Sequence, residues 1–217
     1  PAKSLRMAYF ARHFLNWYME APADELCRYI DDLALDGINA FSYQFAMPLA
    51  YVPHVAEGRI GEFERISRRM SERVAELDCD FCASGGNNQM PLDTPEKFRG
   101  VPNSDPKRGN LGFNACPAIP GALEAMMENR MKSLATLEGV RVGFFNYWSF
   151  DEGGCECETC KPWGGNGMLG LIEKFHAVNR KAHPEAKALV STWVFHDDDF
   201  EGLWKYLETH DWIDYVI

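Results

Sequence analysis

Phe145-Asn146-Tyr147-Trp148-Ser149-Phe150-Asp151-Glu152-Gly153-Gly154-Cys155-Glu156-Cys157-Glu158-Thr159-Cys160 is the stretch on which the reading of this chain turns. It completes an apolar segment, Val140 to Trp148, with the composition of a buried strand. That strand delivers two adjacent carboxylates into a Gly-Gly turn, and three closely spaced thiols follow. The rings of Tyr147, Trp148 and Trp163 crowd the same point. Acids beside aromatic rings at the C-terminal end of a strand suit a site that holds a sugar ring and protonates a poor leaving oxygen.

Outward from this strand the chain alternates between strand-like and helix-like segments. Arg6 to Ala11 reads as a strand, and Ala23 to Asp36 as a helix with Leu26, Ile30 and Leu33 on one face. Ile38 to Phe45 is the second strand. Glu62 to Leu77 is a helix with Phe63, Ile66, Met70, Val74 and Leu77 on one side. Cys79 to Ser84 is the third strand. The polar segment Asn87 to Asn114 is too long for an ordinary connection and reads as a functional loop. A helix from Pro120 to about Leu137 carries Met126, Met127 and Met131 as a core stripe and leads into the fourth strand. Gly167 to Ala182 (helix), Ala188 to Phe195 (strand), Phe200 to Thr209 (helix) and Trp212 to Ile217 (strand) complete the chain.

Repeated strand-helix units imply a parallel α/β sheet with right-handed crossovers. The expected architecture is an incomplete (β/α)8 TIM barrel, with about five βα units plus a sixth strand, forming one catalytic domain over 1–217. A closed barrel takes about 250 residues, so the chain reads as one truncated at its C-terminal side. The alternative is an open doubly wound sheet, although the first strand lacks a G-x-G-x-x-G turn and no P-loop is present.

The composition is that of an ordinary globular chain, 46% hydrophobic and 25% charged over 217 residues. A net charge of -10 argues against nucleic acid, because phosphate binding needs a basic face, so no nucleic-acid partner is expected. No apolar run approaches the roughly 20 residues that span a bilayer, so no membrane partner is expected either. The chain begins at Pro1 without an initiator Met or signal peptide; the natural N-terminus is expected upstream, and the compartment cannot be read.

In a barrel the site lies at the C-terminal strand ends. Those ends carry Arg12, His13 and Trp17 after strand one, Asn87 after strand three, Asn146 and Trp148 on strand four, and Trp193 at the end of strand five with His196 beyond it. All eight are candidate contacts to a carbohydrate substrate. Adjacent residues on a strand point to opposite faces, so Asp151 and Glu152 cannot flank one bond symmetrically. A division of labour fits better, with Glu152 as general acid and Asp151 orienting a substrate group or tuning the acid.

The Asp-Glu pair after strand four resembles glycoside hydrolase family 20, in which the Glu protonates the glycosidic oxygen and the Asp positions an acetamido group that acts as nucleophile. The wider pattern is similar to barrel glycosidases near the alpha-glucuronidases. It is carried by Arg12-His13-Phe14, Ala21-Pro22, Leu33 through Asn39, Cys116-Pro117, and Asp151 through Cys160 followed by Pro162-Trp163-Gly164. The resemblance implies Glu152 as the acid, Asp151 as its helper, Arg12 as a ligand of a sugar hydroxyl, and no cofactor for catalysis.

Cys155, Cys157 and Cys160 supply three thiols within six residues, and tetrahedral zinc wants four ligands. Cys116 or Cys82 could complete a structural zinc site that pins the loop; the other reading is reduced or disulfide-bonded thiols. Two further functions stay open: a divalent-metal sugar isomerase or aldolase barrel using Asp, Glu and His from several strand ends, and a non-catalytic carbohydrate-binding barrel.

Overall fold

Amphipathic spacing and short β-rich runs become parallel strands with intervening helices throughout the computed structural model. It describes residues 4–12, 16–45, 59–89, 95–106, 108–109 and 112–217. His13 and Phe14, on which expectations were placed, lie outside the described residues. The strands β1 (Met7–Phe10), β2 (Ala40–Tyr43), β3 (Asp80–Gly86), β4 (Phe144–Trp148), β5 (Lys187–Val190) and β6 (Tyr215–Val216) form one sheet in strictly sequential order. A doubly wound sheet reverses its strand order at a switch point. This order has no reversal, and it is the order that the wall of a βα barrel follows.

The chain divides into two compact units. The first comprises Pro1–Ser84 and Ser133–Phe145. In it β1 pairs with β2 and β2 with β3, all parallel, in the register Met7 to Ala40 to Asp80. Helices α1 (Trp17–Glu20), α2 (Ala23–Leu35) and α3 (Ile60–Glu76) accompany these strands. The side of α2 carrying Leu26 and Ile30 is fully buried, and α3 buries Phe63, Ile66, Met70 and Val74. Each fully buried side chain of this size contributes about 1.5–3 kcal/mol through removal of apolar surface from water. Gly37, at φ 91°, ends α2 in a left-handed turn that a β-carbon would strain.

The second unit comprises Gly85–Lys132 and Asn146–Ile217. It holds most of α4 (Ala122–Thr136), a one-turn π-helix at Trp163–Gly167, α5 (Met168–Ala182), β5, α6 (Asp197–Leu207) and β6. Here β5 pairs with β6 in parallel. Tyr147 is tied to the helix layer: Asn179 Nδ2 donates to its hydroxyl at 2.6 Å, and Arg130 Nε donates to Asn179 Oδ1 at 2.9 Å. Burial pushes the Tyr147 phenol up to about 12. Gly165 and Gly202 let α6 lie against the π-turn, since a β-carbon on Gly165 would sit 2.7 Å from the Gly202 α-carbon.

Several readings change: the fourth strand begins at Phe144 rather than Val140, and the sixth is only Tyr215–Val216. The strand expected from Ala188 to Phe195 ends at Val190, and Val194 takes φ 61°, a left-handed conformation foreign to a strand and rare for a β-branched residue. The helix expected from Phe200 starts at Asp197, because Asp199 Oδ2 accepts the His196 amide N–H at 3.0 Å and caps the first turn. Met131, assigned to a core stripe, is 53% exposed, whereas Met126 is buried.

Candidate active site

The turn after β4 carries the two carboxylates, and buried amides fix it. Asn88, with no exposed surface, donates to Gly153 O and to Asn114 Oδ1, each at 2.7 Å, and its Oδ1 accepts the Phe150 N–H at 2.7 Å. Gly153 adopts φ 82°, and a β-carbon on Gly154 would fall 1.8 Å from Trp163 Cγ. Both glycines are therefore required, one by conformation and one by space. Trp163 packs into that space, and its Nε1 donates to Ser149 Oγ at 2.7 Å.

The adjacent acids part company in the turn beyond Trp148, where the strand has ended. Glu152 is 4% exposed, and its Oε1 accepts the Phe113 backbone N–H at 3.0 Å. Asp151 keeps 34% of its side chain accessible. Its Oδ1 accepts the Trp193 indole N–H at 3.1 Å, and its Oδ2 lies 3.9 Å from Arg108 Nε. The Arg108 guanidinium in turn sits 5.5 Å from the centroid of the Trp193 ring. Trp193 is 44% exposed. An accessible carboxylate, an indole and a guanidinium thus converge, which is a grouping suited to hydroxyls and a flat apolar ring face.

The other expected contacts scatter. Asn87 is buried, its Nδ2 donating to Trp148 O at 2.8 Å. Asn146 is buried with no partner for its Oδ1 among the described residues, and Trp148, two residues on, points to the same side of β4. His196 lines a separate cleft with Lys161, Glu156 and Asn103. Of the rings expected at the turn, Tyr147 and Trp163 are core residues. In the first unit, Trp17 is exposed and packs edge-on against Tyr18 and Tyr29. Arg12 has no exposed surface, donates to Tyr18 O at 3.1 Å and to Ser67 Oγ, and lies 4.0 Å over the Phe63 ring. Burial lowers its pKa to about 10, against the opposing influence of Tyr43.

Sequence reading missed Arg108, Phe113, Asn88 and Asn114 as site residues. All four belong to the long polar segment and its start, whose length was the signal. Among the described residues, histidine and carboxylate groups form no cluster of three or more ligands. Cys116, Cys155, Cys157 and Cys160 do cluster, with all four sulfurs within 4.8 Å of one another. Cys82, the other fourth-ligand candidate, lies in the first unit and contacts Ser84 Oγ at 3.8 Å.

No protein-family model matches the chain, and no curated protein sequence matches it. Solved structures do. A mutant O-GlcNAc hydrolase from Thermobaculum terrenum superimposes with TM-score 0.58 at 9% identity, covering 97% of this chain and 40% of that one. The tandem GH20 catalytic modules of the pneumococcal exo-beta-D-N-acetylglucosaminidase StrH give 0.57 at 8% identity, covering 90% of this chain and 58% of theirs. The C-terminal domain of Legionella pneumophila ChiA gives 0.51 at 14%, covering 98% and 56%. This chain thus spans between two-fifths and three-fifths of the length of these three structures. At these identities the likeness supports a glycosidase-like fold and nothing finer.

Proposed function

We propose that this chain carries the acid-bearing part of a glycoside hydrolase acting on a carbohydrate, with Asp151 and Glu152 as its catalytic pair. The observation that carries the proposal is the Asp151–Trp193 hydrogen bond, which holds an accessible carboxylate against an exposed indole at the strand ends. A sugar stacked on Trp193 would meet Asp151 directly. Glu152 would protonate the leaving oxygen once its bond to the Phe113 amide is exchanged for the substrate. Fold neighbours named as an O-GlcNAc hydrolase and an exo-beta-D-N-acetylglucosaminidase favour an N-acetylated sugar, with Asp151 steering its acetamido group.

One observation favours a second reading, a non-catalytic carbohydrate-binding barrel: Glu152 is buried and engaged by backbone. Hydrolysis of aryl N-acetylhexosaminides and glucuronides by the intact protein separates the two. The enzyme reading expects turnover that falls by about a hundredfold or more in Glu152→Gln and in Asp151→Asn. Sugar binding without turnover, abolished by Trp193→Ala, would replace it with the binding reading.

A further inference from the structure

We infer that Cys116, Cys155, Cys157 and Cys160 form a closed structural zinc site that locks the catalytic turn to the segment preceding α4. A regular tetrahedron with metal–sulfur bonds of about 2.3 Å has sulfur–sulfur edges of about 3.8 Å. Cys116 Sγ lies 3.8 Å from Cys157 Sγ and 3.7 Å from Cys160 Sγ, and the whole set fits within 4.8 Å. Such edges are far longer than a disulfide bond of about 2.05 Å, and none of these four cysteines is in a disulfide.

The surroundings are those of a thiolate set. Cys116, Cys155 and Cys160 are nearly inaccessible, with only Cys157 at the rim. The Val101 backbone N–H donates to Cys155 Sγ at 3.2 Å, a contact that orients and stabilises a metal-bound thiolate. The Cys157 carbonyl accepts both the Cys160 and Lys161 amides at 3.0 Å, closing the turn that brings the last two thiols round. Gly100 leaves room for Cys155, since a β-carbon there would sit 3.0 Å from the Cys155 β-carbon. Four sulfurs this close, three of them buried, can all ionise only beside a cation. With four protein ligands no coordination position is left for water, so the ion is structural and takes no part in bond breaking.

The inference stands apart from the proposed hydrolysis, and its test does not read activity. The intact protein is purified without chelator and its metal content measured. One zinc per chain is expected, lost in Cys116→Ser and in Cys157→Ser but kept in Cys27→Ser, whose thiol lies outside the cluster. Cys157, the most exposed of the four, is the variant that tests ligation with the least disturbance of the core. Exchange into cobalt(II) should give thiolate-to-metal charge-transfer absorption and the strong visible bands of a tetrahedral ion. Four freely titrating thiols in zinc-supplemented protein would overturn the inference. So would a mass deficit showing disulfides among these four, or iron bound in place of zinc.

Discussion

The ends of β1 and β4 look alike in sequence, each placing a charged residue after an apolar strand, yet they resolve in opposite ways. Arg12 is enclosed: its guanidinium is spent on Tyr18 O, Ser67 and the face of Phe63. Asp151 stays accessible, and its partners, Trp193 and Arg108, are themselves exposed at the surface. A long cation on a flexible stem can turn back into its own unit and find internal acceptors. A short carboxylate in a glycine-bounded turn cannot. The contrast teaches that position at a strand end nominates a residue for ligand contact, and the reach of its side chain decides whether it stays available.

The contrast breaks most visibly at Arg12. Arg12→Met should cost about 3 kcal/mol, because the Tyr18 carbonyl loses its charged donor and Ser67 Oγ keeps only its bond to Phe63 O, and chemical denaturation reads this directly. Asp151→Asn should leave stability within about 0.5 kcal/mol while disabling turnover. If the Arg12 variant melts like wild type, the enclosed reading of the β1 end is wrong. Gly154→Ala probes the rigid support of the β4 end. The added methyl collides with Trp163, for an expected loss of about 2 kcal/mol together with activity. A neutral result there would mean that the turn can shift freely.

Trp193→Ala should weaken sugar affinity about tenfold, or about 1.4 kcal/mol, with little change in melting temperature. That outcome would sharpen the view of this corner as a ligand surface. The smallest effect is a pH dependence away from both ends. His176 is half-buried against Tyr147 and Trp212, and desolvation lowers its pKa below 6.5. The unfolded chain then binds more protons, so stability is full above the unfolded value and falls as pH drops through the folded one. A melting series from neutral to mildly acidic pH should show this decline, and His176→Phe should flatten it.

Much of the fold was legible because periodicity reports burial. The faces of α2 and α3 and the β-rich runs between them follow side-chain pattern alone. Strand five was overextended because Trp193, Val194 and Phe195 look like strand residues, while the turn they form is set by packing and by a left-handed Val194. The carboxylate turn and the four cysteines could be found from local sequence. The partners could not: Phe113 reaches Glu152 across 39 residues through a backbone N–H that almost every residue type possesses, and Asn88 reaches Phe150 across 62 residues with a side chain that bonds only backbone there.

Asn88 clasps the carboxylate turn at both ends, holding the Phe150 amide and the Gly153 carbonyl with one fully buried carboxamide. The Phe150 proton can trade with solvent only when that clasp opens. Its exchange rate is thus a built-in gauge of whether the acid-bearing turn ever loosens, readable by hydrogen–deuterium exchange with and without sugar. A turn that stays shut in both would mean that the two carboxylates meet their substrate as a rigid, preformed surface.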